Sequence, residues 1–323
     1  MLTSILKTRT LAGFALAYVI CGLMLGFGLI TQNPEAAGTE MLFSHRGFYW
    51  LEPFPKVIPW VCTALLSLSA MLSRLRPSET KLAYGSANFT MLLIVCIALT
   101  QIETVFAKPD VLAAAAVSLA MFLLLGSTYK NENVLSELFH CGLLLGLSSL
   151  FIGQTILLLI PLLFSLLILR TGNWKEWAVL LLGIAMCTVF VMMFTVWSAE
   201  PLLEFKRVVQ SAWGGYFSQQ NLNAGHVVLS FALVAAVAAI FRSLTLGTVT
   251  ERNLILVNLS WIVTVGLMVI LFGLGWQEGL ILVSFPLSAS ITQTIEKIKR
   301  WWLADLLLLL ILSAPFVKSL WHF

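Results

Sequence analysis

Glu40, Glu103 and Asp110 are carboxylates that fall between long uncharged runs, and Arg46, Lys206 and Arg207 are cations in the same kind of place. A carboxylate can activate a hydroxyl by taking its proton, and a cation can hold the charge that develops on a departing oxygen. Ordinary solvated loop charges would look the same, because charge outside an apolar layer needs no special explanation. Other chemistries have less to draw on. The five cysteines sit inside apolar runs without a CxxC pair, so no disulfide framework is implied. His45, His140, His226 and His322 lie far apart and lack metal-ligand spacing. We therefore expect no metal and no cofactor.

The elements that must position these residues are set by the apolar runs. Hydrophobic residues make up 59% of the chain and charged residues 11%, against about a quarter charged in a soluble domain. This composition predicts an all-α, polytopic transmembrane helical bundle forming a single domain over residues 1–323, with the lipid bilayer as its partner. The net charge of +4 comes from bases scattered at helix ends, which argues against nucleic acid. Leu138 to Leu169 fixes the phase, since it carries no charge and as one helix would reach roughly 48 Å across a hydrocarbon layer of about 30 Å. Two short crossings with a reversal near Gly153 and Gln154 fit better.

Uncharged runs then predict eleven helices. They are Thr10 to Ile30, Val57 to Ser73, Leu82 to Ile102, Val111 to Tyr129, Leu138 to Phe151, Gln154 to Leu169 and Trp177 to Trp197, followed by Ala224 to Phe241, Asn253 to Leu274, Gly279 to Ile295 and Trp301 to Val317. With the N-terminus cytoplasmic and the C-terminus periplasmic, six of the 19 Lys and Arg fall outside: Arg46, Lys56, Lys108, Lys206, Arg207 and Lys318. The excess on the other face follows the positive-inside rule. Leucine-rich helices without a cleavable signal place the expected protein in a bacterial inner membrane. Two external segments are long, residues 31–56 and 198–223, and small residues at Ala113 to Ala116 mark a place where helix backbones can approach.

The segment from Asn133 to Trp197 carries a Leu-Gly-Leu hairpin, a Leu-Leu-Pro helix at Leu159 to Leu163 and a basic, aromatic turn at Arg170 to Trp177. In these features it resembles an uncharacterised family of polytopic membrane proteins of Bacteroidota and, more distantly, the GT-C superfamily of membrane glycosyltransferases. The second resemblance implies a catalytic acid in the first external loop, acids at the external ends of the third and fourth helices, and a long external loop after the seventh. Glu35 and Glu40, then Glu103 and Asp110, then residues 198–223 occupy those places. It further implies a polyprenyl-phosphate-linked sugar as substrate, with Glu40 and Glu103 catalytic and Arg46, Asp110, Lys206 and Arg207 binding. The first loop holds no Asp, and Asp110 and Asp305 are the only two in the chain. That departure favours the rival expectation, a non-catalytic scaffold for a membrane protein partner. A transporter ranks third, because no chain of ion ligands is visible at mid-bilayer.

Overall fold

The computed structural model describes residues 11–31, 57–72, 87–101, 109–127, 134–169, 173–196, 249–271 and 274–297, with scattered positions between 302 and 313. Within these the chain is all α, without a strand. The helices are α1 (Leu11–Thr31), α2 (Ile58–Leu72), α3 (Ala87–Leu99), α4 (Pro109–Ser127) and α5 (Leu135–Phe151), then a 3-10 turn (Gly153–Leu158). There follow α6 (Leu159–Leu169), α7 (Trp174–Val196), α8 (Val249–Leu271) and α9 (Trp276–Lys297). Among the described residues no helix is long and apolar enough to cross a membrane; in α1, side chains are described only for residues 15–26.

Several helices begin before the uncharged runs do. α4, α7 and α9 start at Pro109, Trp174 and Trp276, not at Val111, Trp177 and Gly279, and carry Asp110, Glu176 and Glu278 in their first turns. A carboxylate is favoured there because the first N–H groups of a helix lack intrahelical partners and the dipole is positive at that end. Charge therefore marks a helix start in these three cases, where reading by uncharged runs placed a loop.

The break expected near Gly153 and Gln154 falls at Ile152, whose backbone is extended at φ −134 and ψ 110. The next six residues form the tighter 3-10 turn, in which the Thr155 N–H and hydroxyl both donate to the Ile152 carbonyl, at 3.0 and 2.7 Å. The segment Gln154 to Leu169 is thus a 3-10 turn followed by a shorter α6. The directions of the neighbouring helices require the chain to return here. Close approaches pair Gly142 with Leu180 and Gly183, and Gly146 with Ile184 and Cys187, so α5 and α7 run parallel. Only a segment crossing back between Ile152 and Asn173 can connect them.

Other contacts fix the remaining directions. Ser148 Oγ reaches the Ala114 carbonyl at 3.4 Å and Cys141 Sγ the Met121 carbonyl at 3.7 Å, so α4 and α5 are antiparallel. α3 and α9 are antiparallel, with the hydroxyls of Thr90 and Thr292 3.4 Å apart near one end and Ala98 and Ile281 lining a shared crevice towards the other. Phe122 of α4 packs edge-on to both Trp261 of α8 and Phe285 of α9, with ring centroids 5.3 and 5.0 Å away. Such aromatic contacts add about 0.5–1.5 kcal/mol beyond the area they bury.

Candidate functional site

The helix directions gather polar side chains at one end of the bundle. α2 and α4 begin there, α3 and α5 finish there, α7 finishes there because it is parallel to α5, and α9 begins there because it is antiparallel to α3. Thr100 and Gln101 follow α3, Asp110 opens α4, Gln154 and Thr155 follow α5, and Glu278 opens α9, and all six are buried. The opposite end carries Glu137, Lys175, Glu176 and Arg252.

Asp110 corrects one expectation. As a boundary acid it should be solvated; instead it is only 5% exposed, and its buried Oδ1 has no hydrogen-bond partner. Burial follows from neighbours that sequence cannot supply, since α4 packs against α2, α5 and α9 together. Cys62 of α2 lies within electrostatic reach of it. Glu40, Glu103, Arg46, Lys206 and Arg207 lie outside the described residues, so the structure brings none of them to Asp110 or away from it. What it does fix is where their flanking residues stand. Val57 follows the segment of Glu40 and Arg46, Gln101 and Pro109 flank Glu103, and Val196 precedes Lys206 and Arg207, each at the Asp110 end.

Gln101 is a buried polar residue at the same end that the sequence reading did not single out. It is 1% exposed, and neither its Oε1 nor its Nε2 has a hydrogen-bond partner. The signal was available: an amide just inside the end of a long uncharged run must be either solvated or held, and its neighbours decide which. Its backbone N–H donates to the Ala98 carbonyl at 2.9 Å, and Thr100 Oγ1 donates to the Ile97 carbonyl at 2.6 Å, so α3 ends in a tight turn that fixes where Gln101 starts. Leaving a polar group buried and unmet costs about 1–3 kcal/mol. The Gln101 amide can both donate and accept, and Asp110 Oδ1 can accept.

A narrow crevice lies between α2, α3, α4 and α9. Leu66 and Ser69 of α2, Ile94 and Ala98 of α3, Leu112, Ala115 and Leu119 of α4, and Ile281, Leu282, Ser284 and Phe285 of α9 enclose it. Its free volume of about 10 Å³ is room for roughly one water. Among the described residues no three His, Cys, Asp or Glu side chains are grouped so as to hold a metal ion. No protein-family model, curated protein or solved structure matches the chain.

Proposed function

We propose that the chain is a polytopic protein of a bacterial inner membrane, with the Asp110 end facing the periplasm. On this reading that end transfers sugar from a polyprenyl-phosphate donor in cell-envelope glycan assembly, in the manner of GT-C enzymes. A lipid setting is supported by where apolar groups are exposed. α7 exposes Leu181, Leu182, Met186, Val189, Phe190 and Met193, while Gln101, Asp110, Asn258, Thr90 and Thr292 are buried. Contiguous apolar surface on this scale is unusual in water and ordinary against hydrocarbon, where polar groups turn inward. The orientation is supported by Lys175 and Arg252 at the opposite end.

The observation that carries the functional reading is the shared end. Every segment holding a candidate acid or base joins the described helices at the end where Asp110 is buried. A carboxylate there would take the proton of an acceptor hydroxyl, and Arg46, Lys206 and Arg207 would meet the phosphate that leaves. The absence of Asp from residues 31–56 favours a second reading, a scaffold that serves a membrane partner. Complementation of a deletion strain separates the two. Glu40→Gln combined with Glu103→Gln should abolish envelope glycan production at unchanged protein level; a fully active double variant leaves the scaffold as the better account.

A further inference from the structure

We infer that Cys21, Met24 and Cys96 form a binding site for one copper(I) ion in the seam between α1 and α3. The site is separate from the surface proposed for sugar transfer and does not depend on it.

Placement comes first. Cys21 and Met24 are three positions apart on α1, which sets their Cβ atoms about 5–6 Å apart on one face. That face turns inward, since Ala17, Cys21, Met24 and Leu25 are buried while Val19 and Leu23 are exposed. α1 packs against α3, and there the Cys96 thiol donates to Met24 Sδ across 3.7 Å. Cys96 is also within electrostatic reach of Cys21, one turn before Met24. Three sulfurs from two helices thus converge, across a separation of 72 residues between Met24 and Cys96 that hides them from any spacing motif. Other thiols are placed differently: Cys141 Sγ donates to the Met121 carbonyl, and Cys187 lies against Gly146. An ion can reach the seam because α1 is at the rim of the bundle, and Cys21 and Met24 keep 5% and 3% of their surface.

Chemistry then names the ion. Thiolate and thioether ligands together select copper(I). The spacing fits: in a three-coordinate shell with metal–sulfur bonds of about 2.3 Å, two sulfurs stand about 4 Å apart, near the 3.7 Å between Cys96 Sγ and Met24 Sδ. Binding releases the Cys96 proton to solvent and forms a copper–thiolate bond; the Met24 thioether adds a neutral donor, and the Cys21 sulfur completes the shell. A monovalent ion exchanged for one proton leaves this apolar place with the charge it had, so no charge has to be buried. Copper stays monovalent throughout. Zinc fits poorly, because it takes four ligands from Cys, His and carboxylates, and among the described residues no three such side chains are grouped.

The test uses purified full-length protein in detergent, without oxygen, titrated with copper(I) held by bicinchoninate, whose colour fades as the protein takes the ion. The wild type should withdraw one equivalent, and X-ray absorption at the copper edge should show sulfur alone at about 2.3 Å. Cys96→Ala should abolish the withdrawal. Met24→Leu and Cys21→Ala should each weaken it at least about tenfold, no less than the loss of an outer-sphere partner costs a metal site. Cys187→Ala should leave it unchanged. Should Cys96→Ala not fold, Met24→Leu decides, since exchange of these two side chains is well tolerated in cores. A wild type that withdraws no copper overturns the inference, as does a shell containing nitrogen or oxygen, or a Met24→Leu variant that binds the ion as tightly as the wild type.

Discussion

From Thr90 to Gln101 the chain of α3 and its end is buried on every side, and α9 is buried from Glu278 to Thr292, whereas α5 and α7 turn one face inward and leave the other bare. The two pairs also meet differently. α3 and α9 pack through side chains, and three hydroxyls of α9 are occupied by its own backbone: Ser288, Ser290 and Thr292 donate to the carbonyls of Phe285, Pro286 and Ser288 at 2.8 to 2.9 Å. α5 and α7 meet backbone to backbone. A Cβ placed on Gly142 would run into the Leu180 carbonyl oxygen, one on Gly183 into the Phe139 carbonyl oxygen, and one on Gly146 would lie 2.5 Å from Cys187 Cβ. A helix surrounded by others is held by filling all its sides. A helix at the rim has few neighbours and gains most by approaching one of them closely, which needs small residues three to four positions apart.

Four substitutions test this contrast, beginning with the largest effect. Gly142→Val puts a branched Cβ against the Leu180 carbonyl of the α7 backbone and should cost about 3 kcal/mol, the upper part of the range for overpacking. Loss of the monodisperse species on size exclusion in detergent, or a fall of many degrees in the thermal midpoint, would report it. A variant of wild-type stability would mean that α5 and α7 do not touch through glycine.

Leu182→Lys addresses the bare face of α7, where Leu182 is 55% exposed. Against hydrocarbon the charge should cost up to about 2.5–3.5 kcal/mol and reduce the membrane-inserted fraction in a translocation assay. Were this face wetted by water, the same change would fall within about 0.5 kcal/mol of neutral, and that result would remove the lipid reading of the rim.

The smallest effect is a gain. At Gly22 of α1 and Gly266 of α8, a Cβ would meet nothing within 4 Å, so neither glycine is explained by a close neighbour. Gly22→Ala and Gly266→Ala should each raise stability by about 0.5–1 kcal/mol through helix propensity alone, seen as a modest rise in thermal midpoint. A loss on the scale of Gly142→Val at either position would show that the open glycines and the packed ones play the same role.

The sequence by itself determined that the chain is helical, because its apolar runs are long and its strand and turn signals few, and it determined that Leu138 to Leu169 cannot continue as one helix. It also placed the functional candidates in the segments between helices, of which Asp110 is the one whose surroundings are described. Which face of each helix points inward was not legible there. A helix that is apolar on all sides has no polar stripe to mark its exposed face, so the choice falls to small differences in side-chain size and to the few polar groups that seek partners. The spacing Gly142-Leu-Leu-Leu-Gly146 is readable as a close-packing motif, yet its partner, Gly183 with Cys187, is identified only by the return of the chain through α6. Tertiary structure likewise decided that Asp110 and Gln101 are buried at a common end, since burial depends on α2 and α9, elements distant in sequence from Asp110 and Gln101 respectively.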